Sequence, residues 1–223
     1  MAEANKRFFE NRIHILLLLI LAGESVFILP FVLARVFRPT FLEAFQLDNT
    51  ALGECFAIYG IVALVSYLLG GRLADQFSPR LLVATGLIST ALGGFYMATF
   101  PNLVGLKVLF GYWGFTTIFL FWAAMLKATR VWGGKRQQVV AFGVLEAGRG
   151  AVAATLGLVC VFIFSTLVGD NAENLDFNAR QAGLKEVILF LSFFVTAVGI
   201  AVLLFLKTSP TSTNNNTEQR NSK

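Results

Sequence analysis

The chain has 223 residues, 56% of them hydrophobic and only 14% charged, with a mean hydropathy of +0.70. Soluble domains are about 45–50% apolar and about 25% charged, so an ordinary water-soluble domain is excluded. A net charge of +5 suits a nucleic-acid binder, but membrane proteins also collect Lys and Arg on one face of the bilayer; no nucleic-acid partner is expected.

The apolar residues fall in runs long enough to cross a bilayer core of about 30 Å. They predict six spans, near Ile13–Phe37, Ala51–Gly70, Leu81–Phe100, Leu103–Met125, Val139–Val168 and Val187–Leu206. A β-barrel would show short alternating segments instead. The first run follows Lys6, Arg7 and Arg12, as in a signal peptide, but a cleaved apolar region is about 7–15 residues long. This one continues to Phe37, so it reads as an uncleaved span. Residues 1–12 then form a short cytoplasmic segment, residues 13–206 a six-helix transmembrane domain, and residues 207–223 a polar tail with nothing to bury, expected to be disordered.

The basic residues orient the spans. Lys6, Arg7, Arg12, Arg72, Arg80, Lys127, Arg130, Lys135, Arg136, Lys207, Arg220 and Lys223 fall on one side, against Arg38, Arg180 and Lys185 on the other. The rule that positive loops stay inside places both termini in the cytoplasm, in a plasma or inner membrane. Cys55 and Cys160 lie in apolar context without a CxxC or a nearby histidine, so no metal site is expected. His14 is the single histidine, and no nucleophile–base pair or phosphate loop is present. Neither an enzyme nor a cofactor is expected.

Ionisable residues inside spans carry the functional signal, since each costs about 2.5–3.5 kcal/mol at a helix centre. Glu24 is eleven residues into the first span, about 16 Å deep, and Arg35 lies another eleven residues on, on the same face of a regular helix. Lys107 is one turn into the fourth span. Glu146 and Arg149 are spaced i,i+3 in the fifth, where they can pair. These five are the candidate solute or ion pathway, and Glu24 is the candidate proton-binding carboxylate. The third and sixth spans carry no ionisable residue and are expected to face lipid. The spans thus read as two triplets entering from opposite sides, an inverted three-plus-three repeat. Gly111 and Gly114 in the fourth span, and Gly148 and Gly150 in the fifth, are candidate helix-packing positions.

Between the second and third spans lies "GRLADQFSPR", Gly71 to Arg80. It resembles the loop motif of the major facilitator superfamily, roughly Gly-x-Leu-Ala-Asp-x-x-Gly followed by two basic residues. Gly71, Leu73, Ala74, Asp75 and Arg80 match, while Ser78 replaces the last glycine and Pro79 the first basic residue. "LVGLKVLFGYWG", Leu103 to Gly114, is similar to the family's fourth-helix motif, with Lys107 where the family usually has arginine. The stretch from Asp75 to Arg80 looks loosely closest to the organophosphate antiporter branch. That branch's first-helix arginine would fall near Val32, with Arg35 the nearest basic residue, so phosphate specificity does not carry over.

The resemblance implies the N-terminal six-helix half of a carrier, moving a small organic solute by symport, antiport or facilitated diffusion; the cations Arg35, Lys107 and Arg149 against Glu24 suit an anionic or zwitterionic one. It implies a cytoplasmic gate formed by Gly71, Leu73, Asp75 and Arg80, with Gly71 allowing close helix–loop approach. A second six-helix half or a second copy of the chain is the implied partner, beside the bilayer and the solute. The alternative readings are a membrane sensor built on the half-fold, or an inactive truncated carrier.

Overall fold

A computed structural model describes residues 13–134, 137–168 and 177–206. The expected N-terminal segment and polar tail lie outside the described residues. Six helices are long and apolar enough to cross a membrane: α1 (Ile13–Val36), α2 (Asn49–Gln76), α3 (Pro79–Met97), α4 (Leu103–Gly133), α5 (Gln138–Val168) and α6 (Phe177–Phe205). A short helix, Arg38–Ala44, follows α1.

Several helices outrun their apolar cores. α2 continues to Gln76, α4 to Gly133, and α6 begins at Phe177. Their ends carry polar and charged residues that water or headgroups can solvate, so hydropathy alone places the boundaries too far inward. The turn between α2 and α3 shrinks to Phe77–Ser78. Ser78 caps α3 by accepting from the Leu81 amide, and Pro79 takes the first helical position, where its missing N–H costs nothing. Both departures from the family pattern are therefore helix-start chemistry.

α1 and α4 each contain a π-helical segment, Ile28–Val32 and Thr116–Trp122. In α1 the segment contains Pro30, which cannot donate to the helix and would clash with the carbonyl one turn back. In α4, Thr117 donates its hydroxyl to the Trp113 carbonyl at 2.6 Å, and Thr116 bonds Thr90 of α3 at 2.9 Å. Tyr59 of α2 meets Thr117 at 2.7 Å, so the irregular turn is stitched to two neighbours.

The packing repeats between the triplets. α2 lies on α4 as α5 lies on α1; α3 lies on α4 as α6 lies on α1; and α3 lies on α6. The exchange of α1, α2 and α3 for α4, α5 and α6 maps α2–α4 onto α5–α1 and α3–α4 onto α6–α1, and α3–α6 onto itself. α2 and α5, the equivalent middle helices, are the least covered of the six. This is the three-plus-three architecture of a facilitator half-fold.

The expectation that α3 faces lipid is overturned. More than half of its central window is buried, against α6 and α4. The cause is small residues: a Cβ on Gly86 would lie 2.8 Å from Phe121 of α4, and one on Gly93 2.5 Å from Trp113. Lack of charge in a membrane helix is compatible with a dry helix–helix contact as well as with lipid. Conversely α5, which carries two charges, is the most uncovered helix.

Candidate functional site

Glu24, Lys107, Glu146 and Arg149 gather into two bridges, each joining an opening helix of one triplet to the middle helix of a triplet; a further ion pair joins Arg180 of α6 to Glu43 of the short helix at 2.7 Å. In the first, Arg149 of α5 reaches Glu24 of α1, with Nε 3.5 Å from Oε2. Arg149 Nη1 also donates to both oxygens of Glu146, at 2.9 and 3.0 Å. The Arg149 side chain is 15% exposed and that of Glu24 10%, whereas Glu146 is 59% exposed. The guanidinium lies 5.5 Å from the Phe27 ring and 5.4 Å from the Trp122 ring. These rings meet edge-on at 5.7 Å and form an aromatic wall suited to a cation. Phe27 immediately precedes the π segment of α1, and Trp122 closes that of α4.

The second bridge is Lys107 of α4 to Glu54 of α2, at 2.6 Å. It is wetter, with side-chain exposures of 31% and 51%. Glu54 is in the first turns of α2 and Lys107 in the first turns of α4, at the end of the bundle away from Gln76 and Arg80, so Lys107 does not join the Glu24–Arg149 cluster. Both bridges obey the same internal exchange of helices with the signs of charge reversed.

Arg35 remains. It is exposed and forms no ion pair with a described residue. It lines a pocket of about 350 Å³ with Phe31, Ala34, Arg38 and Phe56. Phe31 and Phe56 stack at 5.5 Å, and Phe31 leans on Phe27 at 6.2 Å. A run of rings, Phe56–Phe31–Phe27–Trp122, therefore joins the Arg35 pocket to the Arg149 guanidinium. Arg38 donates from Nε and Nη2 to Asn49 Oδ1, at 3.1 and 2.8 Å. A wider depression of about 660 Å³ nearby offers little free chemistry. Asp48 and Asn102 are already capping α2 and α4, and Gln181 donates to the Ala44 carbonyl.

Sequence reasoning missed Phe27, Phe31 and Trp122 as members of the site. Their signal was weak in a chain with 23 phenylalanines. The spacing Phe27, Phe31, Arg35 was visible, but the π turn inside it was not.

The motif after α2 also differs from expectation. Gly71, Leu73, Ala74 and Asp75 belong to the last turns of α2, not to a loop. A Cβ on Gly71 would meet nothing within 4 Å, so Gly71 serves no close approach here. The tight position is Gly70, whose Cβ would sit 3.3 Å from the Phe119 carbonyl oxygen of α4. Lys127 of α4 donates to the Ala74 carbonyl at 2.7 Å, closing the end of α2. Asp75 and Arg80 are exposed and form no ion pair with a described residue. Of the packing glycines, Gly114 lies tight against α2, where a Cβ would be 2.6 Å from the Tyr59 carbonyl oxygen. Gly111 faces Ile58 of α2 and Gly148 faces Ile20 of α1. Gly150 points into open space and packs on nothing among the described residues.

No group of His, Cys, Asp and Glu that could hold a metal is found among the described residues. No solved structure matches the chain. The chain is 29% identical to the inner membrane protein YihN of Escherichia coli over 189 residues, which is 85% of this chain and 42% of that protein. It is 28% identical to the inner membrane protein YqcE of the same organism, over 78% of the chain and 39% of YqcE. An uncharacterized MG294 homolog of Mycoplasma pneumoniae is 25% identical, over 86% of the chain and 43% of that protein. The chain thus spans about two fifths of the length of the curated relatives it matches. The family model described as Major Facilitator Superfamily matches residues 15–223. With six apolar helices in a doubled triplet and a family motif at the end of α2, the chain belongs to the Major Facilitator Superfamily.

Proposed function

We propose that this chain forms the N-terminal wall of an inner-membrane carrier for a small organic anion. The solute enters at the Arg35 pocket, passes along Phe56, Phe31 and Phe27, and reaches Arg149. The observation that carries this reading is the charge balance of the three buried or path-facing cations. Lys107 and Arg149 have carboxylate partners, while Arg35 has none among the described residues and lines a pocket with stacked rings. Arg35 is exposed at the mouth of that pocket beside Arg38, where an anionic solute can reach both cations.

In this reading Glu24 is the candidate for proton coupling, because it lies deep in α1 and shares its cation with a second carboxylate. Asp75 and Arg80 act at the cytoplasmic gate, with both termini on that side. The other wall is a second six-helix half or a second copy of this chain.

The test is uptake of radiolabelled lactate, succinate and glycerol 3-phosphate into vesicles carrying the chain. It is run alone and with the unmatched remainder of YihN co-expressed. We expect uptake of at least one anion well above empty vesicles, and its loss in Arg35→Gln. Equal uptake of neutral glycerol, or anion uptake unchanged in Arg35→Gln, would overturn the anion reading. A Glu24→Gln variant with an unchanged rate and pH profile would remove Glu24 from coupling.

A further inference from the structure

We infer that Glu146 is an internal placeholder for the solute's anionic group: it occupies the oxyanion seat on Arg149 and swings away when a carboxylate or phosphate-type oxyanion binds there. This inference rests on the transport reading above and assigns a competitor within its site.

Arg149 is held from sides that do not exchange easily. Its guanidinium stands against Phe27 and Trp122, and its Nε faces the buried Glu24. Glu146 differs from all three. It is 59% exposed, sits on the same helix at i,i+3, and belongs to the least covered helix of the bundle. Glu146 is held only by a contact on its own helix and most of its side chain is uncovered, so it can turn away without moving a helix.

The bonding geometry points the same way. Both Glu146 oxygens converge on one nitrogen, Nη1, instead of using two nitrogens in parallel. Nε makes no hydrogen bond, and among the described residues no bond from Nη2 is found either. Glu146 therefore holds the seat without the two parallel bonds by which a planar fork grips an oxyanion best, and Glu24 stands 3.5 Å from Nε on the other side. Two carboxylates around one guanidinium leave the cluster with an excess negative charge. An incoming anion is repelled while Glu146 remains. Once Glu146 turns out, the solute's own charge takes its place beside Glu24 and Arg149, so a monoanion leaves the net charge of the cluster unchanged. The ring path from the Arg35 pocket ends at this guanidinium, so the seat is at the deep end of the proposed route.

Isothermal titration of the full purified chain in nanodiscs tests this, with succinate and inorganic phosphate as probes and glycerol as the neutral control. Glu146→Gln should bind the better anion about threefold to tenfold tighter than the wild type, because it removes a weak internal competitor and one repelling charge. Arg149→Gln should show no anion binding. Glu146→Asp keeps the charge and should bind no tighter than the wild type.

Equal gain in Glu146→Asp and Glu146→Gln would mean loosened packing and would overturn the inference. So would Glu146→Gln binding no tighter than the wild type, Arg149→Gln binding as well as the wild type, or no anion heat from any variant. The expected order of affinity is Glu146→Gln above the wild type and the wild type above Arg149→Gln. If uptake fails while that order holds, the seat stands and the transport reading falls. If uptake succeeds without that order, the seat falls alone.

Discussion

Removing the Arg149 cation should cost far more stability than removing Lys107, although both hold an inter-helix bridge. Arg149→Ala leaves Glu24, whose side chain is 10% exposed, without an ion-pair partner among the described residues. Breaking a buried pair by deleting one member costs about 3–5 kcal/mol, and loss of the contacts with Phe27 and Trp122 adds about 0.5–1 kcal/mol. Lys107→Ala strands Glu54, but that carboxylate is 51% exposed and water can take over, so the cost is at most about 1 kcal/mol. The decisive arm is the double variant Glu24→Gln with Arg149→Ala. It removes the stranded charge, and should recover about 2–3 kcal/mol of the single variant's loss. Glu24→Gln alone should be mild, since Arg149 keeps Glu146. The measurement is reversible unfolding in mixed dodecyl maltoside and SDS micelles, followed by circular dichroism. If Arg149→Ala is no less stable than Lys107→Ala, or if the double variant is no better than Arg149→Ala, the buried cluster is not what binds α1 to α5.

Gly114→Ala should destabilise by about 1–3 kcal/mol, because a Cβ there meets the Tyr59 backbone at 2.6 Å and α2 must move off α4. Gly150→Ala faces open space and should stabilise by up to about 1 kcal/mol through helix propensity; the same micelle titration checks both signs. Lys127→Met removes the bond to the Ala74 carbonyl and should cost about 1 kcal/mol, read as faster amide exchange confined to the last turns of α2. Asp75→Asn touches no described partner, so it should change stability by less than about 0.5 kcal/mol. Any loss of uptake it causes would then come from the proposed gate.

Six spans, their alternation and the doubled triplet were legible because a bilayer enforces length and apolarity on each helix. The charges in α1, α4 and α5 were legible for the same reason, since each stands out against an apolar run. Their pairings were less so. Glu146 and Arg149 share a helix and could be read from spacing. Glu24 and Arg149 lie on helices that only the packing of α1 against α5 brings together. The bare α3 was misread because charge reports where water is needed, while Gly86 and Gly93 report where another helix comes close. The motif at Gly71–Arg80 was found by its residues, but its local roles shifted. The close approach belongs to Gly70, and the substituted Ser78 and Pro79 start α3.

The two π-helical segments make the site depend on the path of the backbone as well as on chemistry. Each extra residue along an α-helix turns the face by about 100°. A π turn absorbs one residue in place, so the faces on either side of Ile28–Val32 lie where a regular helix one residue shorter would put them. Straightening α1 into a regular helix at unchanged length would keep Glu24, Phe27 and Arg35 in the sequence, yet rotate the part of α1 bearing Glu24 by about that angle relative to Arg35. Glu24 would then leave Arg149 while Arg35 kept its pocket. The site is therefore written partly in the irregular turn, and a relative carrying every one of these side chains at the same spacing would still lack the site if its α1 ran straight there.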